Sequence, residues 1–158
     1  MILLFLTACS QEHTKPLNYP ILNNNGVNSI NEKTPYESRF ILPKILGYSI
    51  DELTTFTNGI SSNIMRVHYH NKEVMLIIPT KKDKYIKRYV KEIIITDNYI
   101  KNSFNLKIGD IFDKTAFSTC TKSKEKIICK KDDFKNIKIV FTKEKDYILK
   151  EFIWSKSD

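Results

Sequence analysis

From Asn63 to His70 the chain alternates between apolar and polar side chains. Met65, Val67 and Tyr69 fall on one side, and Arg66, His68 and His70 on the other. A period of two predicts a strand with one covered face. The run VMLIIP follows, with Val74 to Ile78 apolar on both faces, which predicts a central strand. The intervening NKE closes the two into a hairpin. YSIDELTTF predicts a strand before them, and Tyr85 to Thr96, ending in EIIIT, a long one after. Three more are expected towards the C-terminus, in KIIC, in Ile137 to Phe141 and in Tyr147 to Trp154.

The period becomes helical in two places. In TPYE, Thr34 stands at an N-cap, Pro35 at the first helical position and Glu37 two residues on, a capping box with the preferred proline. Tyr36, Phe40 and Ile41 then share a face, and Pro43 ends the run, so a helix is expected near Thr34 to Leu42. After the turn at Gly109, Asp110 can cap a second short helix near Asp110 to Phe117, with Ile111, Phe112 and Ala116 as its apolar face. The expected fold class is therefore α+β: a single domain, mainly an antiparallel sheet of about six strands, with two short helices packed on it. Trp154 is expected to pack into that layer.

The first residues, MILLFLTACSQ, are too few to cross a bilayer, which takes about 20 apolar residues. The tetrad LTAC, Leu6 to Cys9, resembles a bacterial lipoprotein signal box, although no Lys or Arg precedes it. On that reading residues 1–8 are a signal peptide, and Cys9 is acylated and becomes the mature N-terminus. Residues 9–22 are the lipidated N-terminus and a short tether, and residues 23–158 a single periplasmic α+β domain. Several acyl chains hold a protein firmly where one does not. Ser10 rather than Asp after the cysteine looks like outer-membrane retention in a Gram-negative bacterium.

Acylation of Cys9 leaves Cys120 and Cys129, an even pair in an exported chain, where disulfides persist. A bridge is expected there, stapling a hairpin or a helix-to-strand corner. Free thiols and a metal pair are the alternatives, the latter without the close spacing of structural zinc sites.

The net charge of +8 is almost all lysine. It reads either as a solvated surface or as attraction to anionic phospholipid, lipopolysaccharide or peptidoglycan. The densest stretch, TKKDKYIKRYVK, supplies Lys81, Lys82, Lys84, Lys87, Arg88 and Lys91, interleaved with tyrosines. Such a pattern also suits single-stranded nucleic acid, but export removes that partner, and no nucleic acid is expected. His68 and His70, two apart on a strand, are weak metal candidates that would need a third ligand such as Glu73. No G-x-S-x-G, C-x-x-C or phosphate-loop frame occurs, and the adjacent carboxylates Asp51 with Glu52 and Asp132 with Asp133 are common turn pairs. No catalytic residue and no cofactor is assigned.

Four segments in order, GVNSINEKTPY with ILGYSI, LKIGDIFDKTAFSTCTK, KIICK with IKIVF, and YILKEFIW, resemble a family of small Gram-negative outer-membrane lipoproteins regulated by the envelope-stress sigma factor RpoE. The resemblance spans Gly26 to Trp154. It implies the same lipid site at Cys9, the same cysteine pair, an α+β fold and no known activity. The stretch between Phe141 and Tyr147 is shorter than in that family. The expected function is a non-enzymatic, lipid-anchored envelope protein that faces the periplasm and acts by binding or as structure in envelope maintenance or stress response, with another envelope protein as one expected partner. An inhibitor or immunity-type module against an envelope hydrolase and a small envelope enzyme are the alternative expectations.

Overall fold

The computed structural model describes residues 18–57, 60–81 and 87–156, and within them the chain is predominantly β. Eight strands are β3 (Ser49–Thr57), β4 (Ile60–Tyr69), β5 (Lys72–Pro79), β6 (Val90–Ile95), β8 (Thr119–Lys122), β9 (Lys126–Lys130), β10 (Ile137–Lys143) and β11 (Tyr147–Ser155). They form one sheet in the order β3-β4-β5-β6-β11-β10-β9-β8, antiparallel throughout. Three short strands, β1 (Ile21–Asn23), β2 (Gly26–Val27) and β7 (Lys101–Asn102), make a second sheet ordered β2-β1-β7.

The alternation read from sequence becomes rows of buried side chains on one face of the large sheet. Val67, Met75, Ile95, Phe152, Ile139 and Cys129 stand opposite one another across six strands, and each is at most 1% exposed. A neighbouring row holds Met65, Ile77, Ile93, Trp154 and Ile137. The small sheet closes over this face, with Leu22, Val27, Ile30, Ile100 and Phe104 in the same cluster. Trp154 Nε1 donates to the Asn24 carbonyl at 3.0 Å, which satisfies the indole where it leaves water. Gly26, the first residue of β2, has φ +97°, and a Cβ there would lie 1.8 Å from the Ile30 carbonyl oxygen, so this position requires glycine.

The α+β expectation is overturned. Among the described residues eleven strands form, eight of them in the sheet expected to hold about six, and the two expected helices shrink to a four-residue helix, α1 (Ser38–Ile41), and isolated 3₁₀ turns. The reason at Thr34 is competition for its polar groups. Its hydroxyl accepts from the Asn31 N–H and its carbonyl from the Val90 N–H, and Pro35 bridges to Tyr89. Thr34 is thus tied to β6 and does not cap; the N-cap falls at Glu37. Leu42–Lys44 continue as one 3₁₀ turn around Pro43. At the second site Asp110 accepts from the Lys107 N–H, and the Asp110 carbonyl and Phe112 N–H bond to Leu149 and Tyr147 of β11. With that backbone committed to the sheet, only Lys114–Ala116 turn, capped by Asp113. The bridged cysteines therefore join two strands, not a helix and a strand.

Candidate functional site

The β3–β4 hairpin runs beyond the sheet. β5 pairs with β4 only as far as Met65, whereas β3 pairs with β4 along its whole length. Residues 53–57 and 60–64 therefore project as a two-stranded arm. Leu53 to Met65 are 13 consecutive residues without a charge, in a chain that is 28% charged. Phe56 is 76% exposed and Leu53 40%. Alternation puts Phe56 on the face shared with Thr54 and Glu52, and Leu53 on the other, opposite Ile64. A ladder of side chains stiffens the arm: Thr55 Oγ1 donates to the Ser62 carbonyl at 3.1 Å, and Asn63 Nδ2 to Glu52 Oε2 at 3.3 Å.

The root of the arm is built by the segment that declined to become a helix. Tyr36 Oη donates to the Asn63 carbonyl at 2.9 Å, and burial pushes this phenol's pKa up to about 12. Arg88 lies 5.1 Å from the Tyr36 ring centroid, and the Tyr36 N–H donates to the Arg88 carbonyl. α1 then presents Phe40 with Arg39 at 4.9 Å and Lys87 at 5.3 Å from its ring centroid. Glu37 pairs with Arg39 at 2.8 Å and reaches Lys87 at 3.8 Å. Lys81, just beyond β5, is exposed.

Of the basic stretch singled out in the sequence, Lys87 and Arg88 thus gather at the root of the arm. Lys91 is the residue skipped where the β5–β6 register shifts, and it is exposed. Lys82 and Lys84 lie outside the described residues, as does Cys9. Arg39, Phe40, Leu53 and Phe56 were not anticipated. The uncharged run 53–65 was the available signal for the last two; nothing local foretold that Arg39 would meet Lys87.

A second polar cluster lies on the outer face. Arg66 grips Asp51 through Nε and Nη2, both at 2.8 Å, and His68 Nε2 stands 3.3 Å from the same carboxylate. Ser49, Ile50, Asp51, His68 and Asn71 line an open depression of about 300 Å³. His70 departs from the expected pairing: it follows the end of β4 with φ 49° and stacks edge-on against Tyr69, while His68 points to Asp51. Among the described residues no group of three or more His, Cys, Asp and Glu is arranged to hold a metal ion.

The Arg66 guanidinium, with help from His68, holds the Asp51 carboxyl below the ordinary carboxylate range. A depressed folded-state pKa contributes stability present above the unfolded value, lost as pH falls through the folded one. NMR titration of the Asp51 carboxyl should therefore show a low midpoint, and Arg66→Ala should move it up towards the ordinary value.

Cys120 and Cys129 face each other across β8 and β9 and form a disulfide, with Cα atoms 4.1 Å apart. Residues 18–146 match the family described as "Protein of unknown function (DUF1131)". The chain belongs to this family. The DUF1131 fold is similar to the crystal structure of the uncharacterized protein yfeY from Escherichia coli, with a TM-score of 0.65 at 20% identity, over 88% of this chain and 100% of that one. At that identity the likeness speaks for the fold alone. No curated protein sequence matches the chain.

Proposed function

We propose that this DUF1131 protein is a lipid-anchored envelope protein, acylated at Cys9 and held at the outer membrane of a Gram-negative bacterium with its folded domain in the periplasm. It acts by binding rather than by catalysis, in envelope maintenance under RpoE-type stress control. The observation that carries the binding role is the arm itself. An exposed phenylalanine and leucine forgo burial that would stabilise the fold, and their place together on an uncharged projection favours an interaction site. The Cys120–Cys129 bridge supports export, because disulfides persist outside the reducing cytosol.

A photo-reactive amino acid placed at position 56 in the native host tests the binding role, with position 111 as control because Ile111 is also exposed, at 67%. Adducts at position 56 and none at 111 are expected. Equal or absent labelling at the two positions would end the proposal. The arm also favours a second reading, an inhibitor that inserts into an envelope hydrolase. Under that reading the adduct is one hydrolase, and the purified protein abolishes its activity at a one-to-one ratio.

A further inference from the structure

We infer that the arm and its root form a contact surface for an anionic phospholipid bilayer. Phe56 and Leu53 enter the headgroup layer, while Arg39, Lys87 and Arg88 meet lipid phosphates. This rests on the binding role proposed above and names its partner.

Two independent features coincide at this end of the sheet. The first is apolar: Phe56 and Leu53 are exposed on the uncharged stretch 53–65, and Phe40 of α1 is exposed beside Arg39 and Lys87. The second is cationic. Arg39 and Lys87 pair with Glu37 and Arg88 lies over Tyr36 near Glu52, three positive charges to two negative, with Arg39 72% and Lys87 51% exposed. The link between the two is geometric. Phe56 shares its face with Thr54, Thr54 is opposite Asn63, and the Asn63 carbonyl is held by Tyr36, whose ring carries Arg88. Apolar side chains beside a basic rim match the bilayer interface, where the acyl boundary lies under a layer of phosphates.

The anchor is compatible with this orientation. Tyr19 stacks on Tyr99, whose ring packs tilted against Tyr69 at the far end of β4, roughly 30 Å from the arm at strand rise. The ten residues from Cys9 to Tyr19 span at most about 35 Å. A domain lying along the membrane can therefore touch it with the arm while the acyl chains hold the other end. The two attachments reinforce each other as a linked pair.

Vesicle flotation of the mature chain, residues 9–158, carrying Cys9→Ser and oxidised at Cys120 and Cys129, tests the inference. Vesicles are phosphatidylcholine alone or mixed with phosphatidylglycerol. Binding is expected to the mixed vesicles, and to fall as salt rises. Phe56→Ser should weaken it about tenfold and Phe56→Leu by roughly threefold or less. Lys87→Gln with Arg88→Gln should weaken it ~25-fold, at about fivefold per cation near the surface. Ile111→Ser should leave it unchanged, and melting temperatures check that each variant folds. Equal binding to both vesicle types overturns the inference, as does parent-like binding by Phe56→Ser or by the double variant. If the vesicles fail while position 56 labels a protein in cells, the bilayer is wrong and the binding role stands. If position 56 labels nothing, the binding role itself fails.

Discussion

Trp154→Ala is expected to lower the unfolding free energy by about 3–5 kcal/mol, the range for deleting a fully buried large aromatic side chain. Trp154 is 1% exposed and stands between Ile93 and Ile137 in a row that crosses the sheet. Its loss opens a cavity beneath the small sheet and removes one of the two donors to the Asn24 carbonyl, the other being Asn136 Nδ2. Urea titration checks the size of the effect. Trp154→Phe separates its parts: it fills much of the cavity but leaves the carbonyl without its indole donor, so it should fall well short of the alanine loss. A Trp154→Ala variant within about 1 kcal/mol of the parent would mean that the small sheet does not seal this face.

Replacing Cys120 and Cys129 together by alanine is expected to cost about 2–3 kcal/mol, from the loop entropy of a bridge spanning nine positions. For a chain of this size that is a fall of roughly 5–10 °C in melting temperature. The physical setting makes the bridge matter. β8 is the edge strand, all four of its residues are exposed, and in the sheet it is paired with β9 alone. Without the covalent link its hydrogen bonds to β9 are what remains, so amide exchange should accelerate in Thr119–Lys122 and stay slow in β5 and β6. Uniform acceleration across the sheet would show that β8 and the core unfold as one unit.

The centre of the sheet was legible in the sequence because burial there is one-sided or two-sided along regular strands. Alternation placed β4 and a continuous apolar run placed β5, and the strands expected at Ile137 to Phe141 and Tyr147 to Trp154 lie close to the observed bounds of β10 and β11. The helices were misread for one shared cause. Thr34 and Asp110 have the right side chains to cap a helix, but their backbones are taken by β6 and β11, strands distant in sequence. Local propensity cannot register that competition. The short strands β1, β2 and β7 escaped because two- and three-residue strands carry no period, and β8 because all its residues face solvent. For the site, the lysine-rich stretch was visible as composition. Its meeting with Arg39 and Phe40 depends on Thr34 and Pro35 lying against Val90 and Tyr89, which no local pattern encodes.

The proposed role requires that the chain leaves the cytosol and is tethered by its ninth residue. Mass spectrometry of the intact protein extracted from membranes of its native host tests this most directly. The predicted spectrum shows a mature chain beginning at Cys9, heavier by its acyl groups, with Cys120 and Cys129 joined. A full-length, unacylated chain with both thiols free, recovered from the soluble cytosolic fraction, would contradict it.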